Sequence, residues 1–322
     1  MANRFRWVVC QLERLCRCIP AIISNALSEL PDSLDETYER SLLTIDEVNR
    51  PFACRLLHCL AVSVRPFRVE ELAELFAVGF DDGKCAEYRP KFRPRDAQEA
   101  VLSACPSLVT VVNVEGSLVV QFSHFSVKEF LTSARLAQAK EELSYYHILP
   151  RPAHTTLAQA SLSVLLHLDA RVTEDGKKNC PLTSYAARHW VDHIPFKNVT
   201  HTVQSAMQRL FDPTKPHFSA WVWLYDLDHP WAEDPSEAHR TGPAATPLYY
   251  AALSGFHDLV KHLMATCPHQ VNARGGYYST PLHAAVAKGH IDIASLLLQS
   301  GGDATSLDND GDRLCGQRRG AS

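Results

Sequence analysis

The sequence predicts a mainly α, multidomain protein with one β-hairpin and a short C-terminal solenoid. Three observations carry this. Apolar residues recur at three- and four-residue spacing through most of the 322 residues, which is helical periodicity. The period switches to two only within residues 108–122, where β-branched runs flank Glu115-Gly116. Near the C-terminus, Thr246-Pro247-Leu248-Tyr249-Tyr250-Ala251-Ala252 returns as Thr280-Pro281-Leu282-His283-Ala284-Ala285, the mark of a stacked repeat.

Phe5, Val8, Val9, Leu12, Leu15, Cys16 and Ile19 suggest an amphipathic helix that ends near Pro20. Ser33 and Glu36 form a capping box, after which Leu34, Tyr38, Leu42 and Ile45 line one face. Pro51 opens a third helix with Phe52, Leu56, Leu60 and Val64 as its stripe, stopped by Arg65-Pro66. Val69, Leu72, Leu75 and Phe76 make a fourth, with Gly79 as its C-terminal cap. Residues 81–95 read as a loop. Asp96 and Glu99 then cap a helix that Pro106 ends.

The hairpin follows, and after it Ser126-Val127-Lys128-Glu129 reads as a second capping box, with Phe125 and Phe130 as a hydrophobic staple. Helices, a hairpin and a closing helix over residues 33–137 fit a winged helix. Residues 138–235 read as a helical spacer. Leu157, Leu162, Leu165, Leu166 and Leu168 form one apolar element, and Leu182, Tyr185, Ala186, His189, Trp190 and Ile194 another. Phe218, Trp221, Trp223, Tyr225 and Trp231 crowd a third.

The repeats lie within residues 240–314. Thr caps each first helix, Pro suits its first position, and Ala pairs allow close stacking. Gly255 recurs as Gly289. The spacing is one residue more than the ankyrin period of 33, and the extra residue fits in Gly275-Gly276-Tyr277-Tyr278. A third, partial unit begins at Gly302-Asp303-Ala304 and Asp308-Asn309-Asp310-Gly311. Two full ankyrin repeats fall below the roughly three that stand alone, so either they lean on residues 200–235 or the chain is shortened.

Composition narrows the function. Lys+Arg 32 against Asp+Glu 36 leaves a net charge of −4, too balanced for whole-surface attraction to nucleic acid. No apolar run approaches the roughly 20 residues of a membrane span, and Trp7-Val8-Val9-Cys10 is too short for a signal-peptide core. A cytoplasmic chain is expected, with the nucleus as the other compartment. The ten Cys are scattered, as buried free thiols would be.

With these residues in view, the chain resembles fungal NACHT–ankyrin proteins of the STAND class. Phe5-Arg6-Trp7-Val8-Val9-Cys10-Gln11-Leu12 looks like the segment that closes their NTPase, making residues 1–30 a remnant of that module. Leu30-Pro31-Asp32-Ser33-Leu34-Asp35-Glu36-Thr37-Tyr38 looks like the winged-helix entry. Gln121-Phe122-Ser123-His124-Phe125-Ser126-Val127-Lys128-Glu129-Phe130-Leu131 looks like its last strand and helix, and Tyr185-Ala186-Ala187-Arg188-His189-Trp190 is similar to the segment before the repeats. The family's phosphate-binding loop, Gly-x4-Gly-Lys-Ser/Thr, has no match here. Gly83-Lys84-Cys85 and Gly176-Lys177-Lys178 lack the preceding Gly and the hydroxyl. Nucleotide hydrolysis therefore does not carry over, and no cofactor is expected.

Each candidate site has a plainer rival. His124 resembles the histidine by which related winged helices sense a nucleotide phosphate, but a hydrogen-bonded role at the strand–helix junction competes. His189 and His193 have zinc spacing without a third ligand. Arg89, Lys91, Arg93 and Arg95, interleaved with Tyr88 and Phe92, precede the helix that would read a DNA groove, though Asp81, Asp82, Glu87 and Glu99 dilute their field. No Gly-x-Ser-x-Gly elbow occurs. The expected function is non-enzymatic: the repeats bind a protein partner, with Arg274, Gly275, Gly276, Tyr277 and Tyr278 as the contact patch, and the winged helix transmits or scaffolds. Two rivals remain open: a regulatory part of a nucleotide-driven switch whose NTPase module is lost or supplied in trans, and DNA binding by the winged helix.

Overall fold

The computed structural model describes residues 7–9, 11–12, 16, 30–81, 84–168, 180–194, 201–228, 243 and 245–306. Most of the predicted N-terminal helix, Gly176-Lys177-Lys178, Trp231 and the third repeat unit from Asp308 lie outside the described residues. The chain divides into two compact units. The first comprises Met1–Val78 and Arg89–Leu157, the second Gly79–Tyr88 and Ala158–Ser322.

The first unit is built on helix α1 (Leu34–Leu43), whose Leu34, Tyr38 and Leu42 are buried together with Ile45 just beyond it. Ser33 Oγ accepts the Glu36 N–H at 3.2 Å, as a cap should. The Glu36 carboxylate reaches back one residue further than a capping box requires, to the Asp32 N–H. Helix α2 (Arg50–Val62) buries Leu56 and Leu60, but it ends before Val64, which is 54% exposed. Helix α3 is only Val69–Ala73 and tightens into a 3-10 turn, Glu74–Ala77. Gly79 does not cap it: Val78 and Gly79 run on in extended conformation. In the segment read as a loop, Glu87–Tyr88 is extended and Pro90–Phe92 is a 3-10 turn. Helix α4 (Ala97–Ala104) is capped by Asp96, which accepts the Glu99 N–H at 2.8 Å.

The hairpin forms where the period changes. Strand β2 (Val109–Val114) pairs antiparallel with β3 (Ser117–Phe122), Val109 opposite Phe122 and Val114 opposite Ser117. Glu115 and Gly116 both have positive φ, 51° and 84°, the tight turn that matches strand twist. A third strand, β1 (Phe67–Arg68), joins the far side of β3, so the sheet order is β1-β3-β2. Two residues are too few to show a period, and β1 was invisible in the sequence.

Helix α5 (Phe125–Leu131) begins earlier than the Ser126 box implies. Its cap is His124, whose Nδ1 accepts the Ser126 N–H. Ser126 is buried within the first turn and bonds Tyr38 Oη at 2.9 Å. The staple is absent: Phe125 is 57% exposed, while Phe130 packs on Tyr38 with ring centroids 5.6 Å apart.

In the second unit, the spacer and the repeats share one aromatic core. Helices Leu182–His189, His201–Leu210 and His217–Leu224 surround Trp190, Phe211, Phe218 and Trp221. The Trp190 ring lies 5.3 Å from both Trp221 and Phe256, and Phe218 lies 5.6 Å from Tyr250. Trp221 donates its indole N–H to Ala187 O at 2.9 Å. Phe256 and Tyr250 belong to the first repeat, so the spacer covers the face that the repeat would otherwise expose.

The repeats are helix pairs: Pro247–Leu253 with His257–Thr266, then Pro281–Ala287 with Ile291–Gln299. Thr246 and Thr280 cap the first helix of each pair by accepting the Tyr249 and His283 N–H groups. Gly255 and Gly289 end those helices with φ of 80° and 75°. The first helices of the two pairs pack on each other, as the Ala pairs predict.

Candidate interaction surface

The turn at 274–278 is fastened from beneath. Asp226 and Asp228 follow the Trp-rich helix and are buried, at 2% and 3% exposure. Asp226 Oδ1 accepts the Tyr250 phenol at 3.1 Å. Asp228 Oδ1 accepts the Tyr249 phenol at 2.7 Å, and its Oδ2 accepts the Tyr277 N–H at 2.9 Å. Tyr249 Oη in turn accepts the Tyr278 N–H at 3.0 Å. Burial, with Asp228 or Asp226 beside them, pushes both phenols well above the ordinary tyrosine range, so both stay protonated donors. Asp228 and Tyr249 thus tie the second repeat's turn to the spacer, and the Asp226–Tyr250 bond ties the first repeat to it.

Gly276 is where the turn touches this clasp. Its φ is +72°, and a Cβ there would sit 2.5 Å from Tyr249 Cζ and 2.6 Å from Asp228 Oδ2. The glycine therefore permits a close approach of the turn to Tyr249 and Asp228. Gly275 closes the turn by donating to Ser279 O at 2.8 Å. Outward, Arg274 is exposed and Tyr277 is 48% exposed. The Tyr277 and Tyr278 rings meet edge to face at 5.0 Å, and Lys288 lies over Tyr278 at 5.6 Å. The five predicted residues thus share one turn, in which Arg274 is exposed and Lys288 covers one of the two tyrosine rings.

Sequence reasoning missed Asp226, Asp228, Lys288 and His290. The first two carried a signal, Asp-Leu-Asp straight after an aromatic run, where burial demands partners. His290 Nε2 lies 3.2 Å from Leu253 O, and its ring fills the space beside Gly255.

His124 lies in the first unit. Its Nδ1 faces the Ser126 hydroxyl at 2.6 Å and accepts the Ser126 N–H at 3.3 Å, so the ring serves the helix start. His189 pairs with Asp192 at 3.0 Å and His193 with the Tyr185 phenol at 3.0 Å; the two imidazoles serve separate partners. No group of three or more metal-ligating side chains occurs among the described residues.

Within the basic run, Arg93 pairs with the buried Glu74 and Lys91 stacks on Phe92. Helix α4, which would enter a DNA groove, contains no Lys or Arg and exposes Glu99. Of the described cysteines, Cys54, Cys59, Cys105, Cys180 and Cys267 are buried free thiols. Burial pushes Cys54 up to about 12, so it is no reactive thiolate. No helix among the described residues is long and apolar enough to cross a membrane.

Comparison with known proteins agrees with both halves of the fold. Residues 227–308 match the ankyrin repeats family, and residues 40–142 match the family described as GPI inositol-deacylase, winged helix domain. Azaphilone pigments biosynthesis cluster protein L of Monascus ruber is 31% identical over 293 residues, 86% of this chain and 61% of that protein. Alpha-latrocrustotoxin-Lt1a of Latrodectus tredecimguttatus is 40% identical over 73 residues, 23% of this chain and 5% of the toxin. Ankyrin repeat-containing protein P1E11.10 of Schizosaccharomyces pombe is 39% identical over 66 residues, 20% of this chain and 31% of that protein. The chain thus spans about three-fifths of the Monascus protein and a third or less of the other two. No solved structure matches the chain.

Proposed function

We propose that this chain is a non-enzymatic protein–protein interaction and signalling module of the fungal NACHT–ankyrin kind. The ankyrin repeats take a protein partner at Arg274, Gly275, Gly276, Tyr277 and Tyr278, and the winged helix over residues 33–137 transmits or scaffolds. The spacer, residues 138–235, sets the repeats in place, and residues 1–30 are the end of an NTPase module. The chain works in the cytoplasm or nucleus. The carrying observation is the clasp: Asp228 and Tyr249 hold both backbone N–H groups of the tyrosine pair. A turn ordered before it meets a partner loses less entropy on binding, and Tyr and Arg are the residues that anchor interfaces.

The nucleotide-switch reading is weaker, because His124 Nδ1 is occupied by the Ser126 hydroxyl and N–H. The DNA reading is weaker, because helix α4 offers no cation to phosphate.

The test is quantitative co-purification from the source organism. The full chain, an Arg274→Glu/Tyr277→Ala double variant and a Glu129→Ala control are compared, with circular dichroism to show that each is folded. A protein recovered with the wild type and the control but reduced at least about tenfold by the double variant supports the assignment. Equal recovery of every co-purifying protein by all three overturns it.

A further inference from the structure

Among the described residues no strand pairs with the outer side of β2, whose exposure rises from Val109, at 7%, to Asn113 and Val114 at its far end. Strand β3 lies between β1 and β2, so β2 is an edge strand. Ser123 donates to Leu108 O at 2.9 Å, and the register continues with Thr110 opposite Gln121 and Val112 opposite Val119. In an antiparallel ladder hydrogen-bonded pairs alternate. Residues 108, 110, 112 and 114 therefore bond inward to β3. Val109, Val111 and Asn113 turn their N–H and C=O groups outward. Among the described residues no hydrogen bond reaches these outward backbone groups.

Monomeric sheet proteins blunt such an edge with Lys, Pro or a bulge. Strand β2 reads Val-Thr-Val-Val-Asn-Val, with no charge and no Pro, and its register is unbroken. Beside the edge, Val112, Val114 and Val119 share one face and are half-buried or exposed.

We propose that β2 is a self-association edge: two copies of this chain pair β2 with β2, antiparallel, about a two-fold axis at Val111. The register follows from the backbone. An antiparallel partner must meet outward groups with outward groups. Centring on Val111 pairs Val111 with its counterpart, and Val109 with Asn113 of the second copy in both directions. A shift to either side leaves an outward residue of each strand unpaired within the strand. The side-chain neighbours are then Val111 with Val111, and Thr110 with Val112. These β-branched pairs favour the sheet, with no like charges opposed. Glu115 falls opposite Ser107 of the second copy rather than another acid. A foreign strand would be selected by charge or pockets along the edge, and β2 itself carries no charge, whereas a second copy matches it group for group.

Sedimentation velocity of the full chain over about 1 to 100 μM tests this. The wild type is expected to approach twice the 35.9 kDa monomer mass at the upper end. Val111→Pro removes one outward N–H and leaves the inward ladder through Thr110 and Val112 intact. Val111→Lys sets two like charges at the axis. Both variants are expected to weaken association at least about tenfold, the change that 1.4 kcal/mol produces. Should the Pro variant lose its fold by circular dichroism, the Lys variant decides. A wild type that stays monomeric throughout overturns the proposal, even if it captures a foreign strand-forming peptide. So does a dimer that persists in the folded variants.

Discussion

Gly276 and Glu71 show how much rests on single positions. A methyl at Gly276 meets a ring carbon at 2.5 Å and a carboxylate oxygen at 2.6 Å, on backbone that side chains avoid. Gly276→Ala should cost about 1–3 kcal/mol, read as a lowered melting temperature, and should weaken partner capture as the Arg274/Tyr277 double variant does. Glu71 is fully buried and receives the Arg65 guanidinium at 2.7 and 2.8 Å and the Arg68 N–H at 2.9 Å. Burial alone would raise its pKa; the Arg65 and Arg68 hydrogen bonds and charges outweigh that and hold the carboxyl below its ordinary 4.5. A depressed carboxyl stabilises the fold above the unfolded value and loses that contribution as pH falls through the folded one. Melting temperature should therefore fall below about pH 4.5. Arg65→Ala should cost about 2 kcal/mol near neutral pH and flatten part of that acid decline. An unchanged acid profile would remove Glu71 from the account.

Helices and strands were legible where their signals are local. The Ser33, Asp96, Thr246 and Thr280 caps all bond as their positions imply, because a cap needs only the three residues that follow it. Thr280→Ala should cost about 1 kcal/mol, measurable by urea titration of the full chain. The Ser126 box failed because a more distant group competed: Tyr38 takes the serine hydroxyl, and His124 caps in its place. Phe125 failed as a staple because Tyr38 had already claimed Phe130. Strand β1 is defined only by the β3 residues opposite it, which lie more than 50 positions along the chain.

Across the second unit, stability is shared rather than additive. Two repeats depend on a wall of aromatic rings that the spacer supplies, so Trp221→Ala should cost about 3–5 kcal/mol and unfold repeats and spacer in one thermal transition. Residues 240–322 alone should show little helical ellipticity, and a stable, fully helical fragment would refute this dependence. The sequence by itself determined the periodicities, the Ser33, Asp96, Thr246 and Thr280 caps, the hairpin turn and the repeat, because each is written within a few neighbouring residues. Only the tertiary structure decided that buried Asp228 holds the glycine-rich turn, that buried Asp226 fastens the first repeat, and that β2 lies at the edge of its sheet among the described residues. Those outcomes depend on partners as far apart as Asp228 and Tyr277, separated by 49 positions, and no local pattern records which distant groups meet when the chain closes on itself.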